Sequence, residues 1–278
     1  VVSHSVLFLP RSAEIFASFR EAIHPCSNYG CATKSPQSHS RCDFDGMILL
    51  ADSHVSSDAI PATPFFDTLQ AIARTDEDVV FLGDIFELWV GLPRYETEVH
   101  QRFLAWCTEQ KEEREIGFVE GNHEFFVIDA HRDAFSWGTA ERWLDDGGVL
   151  FLHGDTINRE DTGYTRLRRA LKNGCIKALM HWIPFGPRIA QWVKGILNKH
   201  KPANADRFPD AAVTAFAEET SEEDVRVIFS GHFHTSRRHA SPHGPDVFIV
   251  PAWKFDHEVA RYDPDTGEFS VFKLGELG

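Results

Sequence analysis

Five short blocks concentrate the residues able to do chemistry: Asp52-Ser53-His54, Gly83-Asp84, Gly121-Asn122-His123-Glu124, His153-Gly154-Asp155 and Gly231-His232-Phe233-His234. Taken singly, each is the kind of polar turn that ends many strands, and its glycines meet the ordinary needs of sharp turns. Taken in order, each directly behind an apolar run, they point to a shared crevice. Asp52, His54, Asp84, Asn122, His153, His232 and His234 offer oxygen and imidazole donors, with no thiolate among them. Such a set suits Mn²⁺, Mg²⁺, Fe or Zn²⁺ rather than a cysteine-built structural zinc site. Seven donors are too many for one ion and fit two that share a carboxylate. Paired cations about 3.5–4 Å apart clamp the attacking and leaving oxygens of a phosphoryl displacement. The expected chemistry is metal-assisted hydrolysis of a phosphoester or pyrophosphate.

The elements that must carry these blocks are short. Apolar, β-rich runs span Met47–Ala51, Val79–Leu82, Ile116–Glu120, Val149–Leu152, Arg226–Ser230 and Asp246–Val250, separated by helical or polar stretches. Between the first two, Phe65, Leu69 and Ile72 recur at helical spacing behind a Thr63 cap and a first-turn Pro64, which predicts a helix over Pro64–Arg74. Strands alternating with helices indicate an α/β sheet. In open sheets of this kind ligands gather beyond the carboxyl ends of the strands, which is where the blocks lie. Asp263-Pro264-Asp265-Thr266-Gly267 reads as a turn closing a final hairpin.

Composition bounds the partners. The chain has 278 residues, 42% of them apolar and 25% charged, enough for one domain with a sizeable core. Its formal net charge of −14 disfavours a general nucleic-acid binder. No apolar run reaches the length of a membrane span. The five cysteines (Cys26, Cys31, Cys42, Cys107 and Cys175) form no C-x-x-C pair and are odd in number, which fits reduced thiols in the cytosol. Residues 1–46 hold three of them and no sustained period, and Met47 is the first methionine. The folded domain is therefore expected over 47–278, with 1–46 an extension or a mis-called start. Between His153 and His232 lies the longest gap between blocks. There Ile157–Arg207 carries eleven basic and three acidic residues, a local +8 against −22 for the rest. Trp182, Ile183, Phe185, Trp192, Val193 and Leu197 alternate with those cations. The segment reads as a helical lid whose apolar side takes acyl chains and whose cations meet anionic headgroups, or else as a helical hairpin packed on the sheet.

The five blocks resemble those of the calcineurin-like metallophosphoesterases, from Met47 to about Trp253. The resemblance implies a two-sheet α/β/β/α sandwich, to which the segment over about 157–207 adds the helical lid. It also implies a ligand set: Asp52, His54, Asp84 and His234 on one ion, and Asp84, Asn122, His153 and His232 on the other. His123 is similar to the family's non-ligand histidine, which contacts phosphate and protonates the leaving oxygen. Two divalent ions are expected, Mn²⁺ first, with Mg²⁺, Fe or Zn²⁺ as alternatives. No Asp-Arg-Gly follows the bridging Asp84, unlike in protein phosphatases and diadenosine tetraphosphate hydrolases. Gly83-Asp84-Ile85-Phe86-Glu87-Leu88-Trp89 instead resembles the G-D-L-F-E-x-W of the UDP-2,3-diacylglucosamine hydrolases of lipid A synthesis. His153-Gly154-Asp155-Thr156, Asp161, Tyr164 and Arg168-Arg169 are similar to that branch's H-G-D-T…D-x-x-Y…R stretch, which implies substrate contacts for Asp161 and Tyr164. The chain departs from the branch at Gly121-Asn122-His123-Glu124-Phe125, where G-N-R-D-F is usual. The expected reaction is cleavage of a UDP-linked acylated sugar to UMP and the sugar 1-phosphate, by a cytoplasmic enzyme peripheral at the inner face of the cytoplasmic membrane. The rivals are a generic phosphodiesterase and a non-catalytic scaffold.

Overall fold

Runs of four apolar residues make most of the strands, and their alternation sends side chains to two opposite faces. The computed structural model describes residues 46–56, 62–158, 172–182, 186 and 208–276. Asp161, Tyr164, residues 1–45 and most of the expected lid lie outside the described residues. The strands are β1 (Met47–Leu50), β2 (Asp78–Phe81), β3 (Trp89–Val90), β4 (Ile116–Val119), β5 (Glu124–Phe125), β6 (Trp137–Thr139), β7 (Arg142–Leu144), β8 (Val149–Leu152), β9 (Val227–Ser230), β10 (Arg237–His239), β11 (Asp246–Ile249), β12 (Glu258–Tyr262) and β13 (Phe269–Lys273). The helices are α1 (Thr63–Ile72), α2 (Glu98–Gln110), α3 (Val127–His131), α4 (Gly174–Trp182), α5 (Asp210–Thr220) and α6 (Trp253–Asp256).

One sheet runs β13-β12-β1-β2-β4-β6, with β1, β2, β4 and β6 parallel and β12 and β13 antiparallel at one side. The second runs β10-β11-β9-β8-β7, parallel through its three central strands. Inner-face residues Leu49, Val80 and Val119 meet Val149, Phe151, Val227, Phe229 and Phe248 of the second sheet. On the outer face of the first sheet, Ile48, Leu50, Phe81 and Phe118 pack with Phe65, Leu69 and Ile72 of α1 and Phe103 and Cys107 of α2. Beyond the second sheet, Leu150, Ile228, Val247 and Ile249 pack with Val213, Phe216 and Ala217 of α5. The layers are therefore α/β/β/α, as expected. Strands buried on both faces need apolar residues at successive positions, which explains the unbroken runs.

Thr63 is not the cap of α1. Phe66 N–H donates to the Ala62 carbonyl, so the helix starts one residue earlier, with Thr63 inside it and no side-chain cap bond. The expected hairpin is present: Asp263 closes it through its backbone and accepts the Thr266 hydroxyl at 2.6 Å. Parallel β1, β2 and β4 set three loops side by side at one edge of the first sheet, and β8 and β9 bring two more from the second.

Candidate metal centre

The loops at that edge are sewn together by backbone before any side chain acts. Asp52 N–H donates to the Gly83 carbonyl at 3.0 Å, and His54 N–H to that of Asp84 at 2.9 Å. Asp52, His54, Asp84, His232 and His234 all have left-handed backbones, with φ between 43° and 68°. That conformation is uncommon for residues other than glycine and persists only where surroundings enforce it. A Cβ on Gly121 would overlap Asp84 Oδ1, so only glycine lets the two loops approach this closely. Glu124 completes the bracket. Its fully buried carboxylate accepts N–H bonds from Asp84 at 2.7 Å, Gly121 at 2.8 Å and Ile85 at 2.9 Å.

Eight side chains converge in front of this bracket. Asp84 Oδ2 lies 3.4 Å from Nε2 of His153 and 3.8 Å from Nε2 of both His54 and His123. Asp52 Oδ1 lies 3.3 Å from His234 Nε2, and the Nε2 atoms of His54 and His234 face each other at 3.3 Å. Asn122 Oδ1 stands 3.2 Å from His153 Nε2, and the His232 ring lies edge-on to His153 at 5.1 Å. Three triads have donor atoms within 4.8 Å of one another: Asp52/His54/His234, His54/Asp84/His123 and Asp52/Asp84/His153. His232 joins none of them by that distance, although its N–H donates to Asp52 Oδ2 at 2.7 Å.

Second contacts fix the rings. His153 Nδ1 donates to the Leu82 carbonyl at 2.7 Å and His123 Nδ1 to that of Glu87 at 2.6 Å, which turns both Nε2 atoms toward Asp84. Burial lowers the pKa of His54 to about 4, with Asp84 pulling the other way. Burial likewise lowers His232 to about 4, helped by the charge of His153. Both are neutral imidazoles at pH 7, with lone pairs free for a cation. Burial opposes the charge on His153 as well, but Asp84 overrides it and lifts its pKa to about 10. The same pairing outweighs burial at Asp84 and holds its carboxyl well below the usual range. Burial and the Asp84 charge push Glu124 up to about 8, against the pull of its N–H donors.

These residues fit metal ions. Asp52 Oδ1 is buried and accepts no hydrogen bond, and the Nε2 atoms of His54 and His234 meet beside it. A buried oxygen left this way is costly unless something positive meets it. The Calcineurin-like phosphoesterase profile matches residues 47–236, more than half of the chain. The chain belongs to that family. Curated relatives of this calcineurin-like phosphoesterase include a UDP-2,3-diacylglucosamine hydrolase of Haemophilus influenzae (strain PittGG), 24% identical over 235 residues, which cover 81% of this chain and 97% of that protein. Another of the same name, from Yersinia pestis bv. Antiqua (strain Angola), is 27% identical over 238 residues, or 81% and 98% of the two chains. Among solved structures, Yfce, a phosphoesterase from E. coli, is similar at a TM-score of 0.39 and 16% identity, covering 84% of this chain and 95% of that one. The calcineurin-like phosphoesterase is a metal-dependent phosphoester hydrolase that uses divalent ions. Among the described residues no helix is long and apolar enough to cross a membrane.

Sequence reasoning assigned no work to three residues at this edge. Glu124 sits inside a block, yet its N–H partners lie up to 40 residues away, invisible to spacing. Lys172 donates to Glu120 Oε2 and to the Gly121 carbonyl, both at 3.0 Å, tying the insertion to the Asn122 loop. Phe255 of α6 stands against His234 with ring centroids 5.8 Å apart. From the insertion, α4 is bound at its far end by Arg94 and Tyr95, which donate to the His181 and Met180 carbonyls, and Lys177 pairs with Asp129. It leaves Leu179 and Trp182 54% and 80% exposed, so neither is packed on the sheet.

Proposed function

We propose that the protein cleaves the pyrophosphate of a UDP-linked acylated sugar, giving UMP and the acylated sugar 1-phosphate. Asp52, His54, Asp84 and His234 hold one divalent cation, and Asp84, Asn122, His153 and His232 the other, with Mn²⁺ as the preferred ion. The observation that carries the reading is the Asp84 carboxylate, whose Oδ2 stands within 3.8 Å of three histidine nitrogens supplied by three different loops. When bound, the cations supply Lewis acidity toward the phosphoryl oxygens and an acidified water. His123 is held through Nδ1 by the Glu87 carbonyl, which leaves Nε2 at the open side of Asp84, placed to give a proton to the leaving oxygen. Glu124 keeps the Asp84 and Gly121 loops in register. Asp161 and Tyr164 meet the sugar and phosphate region.

The substrate arm is supported by the curated relatives and by α4, whose exposed Leu179 and Trp182 offer an acyl chain an apolar surface beside the Asn122 loop. The basic excess of residues 157–207 then faces anionic headgroups, so the enzyme works as a peripheral protein on an anionic bilayer. The test is incubation of the Mn²⁺-loaded protein with UDP-2,3-diacylglucosamine, following UMP and the acylated sugar phosphate. Chelator-sensitive UMP release is expected. A protein that hydrolyses bis(4-nitrophenyl) phosphate but releases no UMP would refute the substrate. It would favour the second reading, a generic phosphodiesterase, for which His123 in place of the branch's arginine is the specific pointer.

A further inference from the structure

The metal edge has two flanks, and they differ in chemistry. Strand order β1-β2-β4 places Asp84, at the end of β2, in the middle. On the β4 side stands α4, tied there by Lys172, two residues ahead of it, to Gly121 and by its own Lys177 to Asp129, with Leu179 and Trp182 exposed. On the β1 side stands α6, tied by Trp253 N–H to the Ala51 carbonyl and by Lys254 N–H to that of Asp52. There Phe255 is 62% exposed, the third of the large apolar side chains left in solvent among the described residues. Its ring meets the edge of His234 at 69°. Its neighbours Lys254, Asp256 and His257 are all exposed and polar.

A single exposed ring in a polar surround does not suit an acyl chain, which needs several apolar side chains in line; α4 offers two, Leu179 and Trp182, one turn apart. It suits a flat ring with apolar faces and polar edges. Ala252, just ahead of α6, pairs with Ala51 on the far side of β1, so two strand spacings, about 10 Å, separate this flank from a phosphoryl group centred on Asp84, a gap that a sugar with its phosphate spans. We infer that Phe255 is a specificity residue that stacks on the nucleobase of the substrate, on the flank opposite the insertion. The inference rests on the nucleotide-linked substrate proposed above and gives each arm its own side: acyl chains toward α4, base toward α6. Exposed Lys254 and Asp256 border the position of the base's polar edges.

Two synthetic diesters with the same leaving group separate this from general binding: uridine 5′-(4-nitrophenyl phosphate) and ethyl 4-nitrophenyl phosphate, each with Mn²⁺-loaded protein. The readout is the ratio of their kcat/KM values. The natural chain prefers the uridyl ester. Phe255→Ala lowers the ratio roughly 5- to 100-fold, the range expected for loss of one base–aromatic stack. Phe255→Trp preserves the ratio, and Phe255→Leu behaves like the alanine variant, because bulk without a flat face does not stack. Phe255 is largely exposed, so none of these changes threatens the fold. A ratio unmoved by Phe255→Ala, or restored by Phe255→Leu, overturns the inference, as does a natural chain indifferent to uridine. If the ratio behaves as expected while UDP-2,3-diacylglucosamine yields no UMP, the base platform stands and only the lipid arm of the proposed function falls.

Discussion

Lys172→Met should destabilise the protein far more than a surface substitution would. The Lys172 side chain is 12% exposed and that of its partner Glu120 2%, with Nζ and Oε2 3.0 Å apart. At that distance, and at an effective dielectric near 20, the gross attraction is about 5 kcal/mol, most of it offset by the desolvation of both ions. The net pair is therefore small, but breaking it is not. Methionine fills the space of the lysine stem and leaves the Glu120 carboxylate buried with only one oxygen partnered, by Ile128 N–H at 2.9 Å. It also removes the donor to the Gly121 carbonyl. An uncompensated buried charge costs about 3–5 kcal/mol, and that is the expected loss in urea unfolding. Adding Glu120→Gln removes the orphaned charge while keeping a carbonyl for Ile128. The double variant should therefore recover about 1–2 kcal/mol relative to Lys172→Met, a coupling that a double-mutant cycle measures directly. A loss under about 1 kcal/mol for Lys172→Met, or two changes that simply add, would refute the buried-pair reasoning.

Three further outcomes follow from the metal edge. Asp84→Ala should abolish turnover and lower metal content at both positions by elemental analysis, because it removes the carboxylate that faces three histidines; near-normal turnover would exclude a shared ligand. His123→Ala should keep both ions and lower kcat roughly 10²- to 10⁴-fold, the usual contribution of a general acid; metal loss would make His123 a ligand. Gly121→Ala should weaken metal binding and turnover together, since the new methyl meets Asp84 Oδ1 and the Asp84 backbone N at 2.6 Å; unchanged metal content would mean that the loops separate without consequence.

The strands that carry the site were legible, with boundaries off by about one residue, because burial on both faces leaves a run of apolar residues that little else produces. The edge strands were not. Arg142-Trp143-Leu144 and Arg237-Arg238-His239 are only three residues long, the second wholly polar, and they become β7 and β10 only because a neighbour offers a ladder. The pairing of Trp89-Val90 with Glu124-Phe125 is shorter still. In the site, residue type and order announced which loops would gather. Nothing in the sequence announced left-handed backbones at two aspartates and three histidines, since local preference disfavours them and only the packed strand ends impose them. Thr63 shows the converse case: a good local signal overruled by a backbone bond one residue earlier.

The donors around Asp84 come from positions as far apart as 52 and 234, on loops that follow strands of both sheets. An unfolded chain therefore has no comparable affinity for the ions, and whatever free energy they release on binding is added to that of the native state. Cellular metal supply then governs more than turnover number. When divalent ions are scarce, more molecules open far enough for proteases to take them, and shortage is recorded as a shorter lifetime of the protein itself. Supply and abundance become one variable, set by how tightly two loops are pinned to one carboxylate.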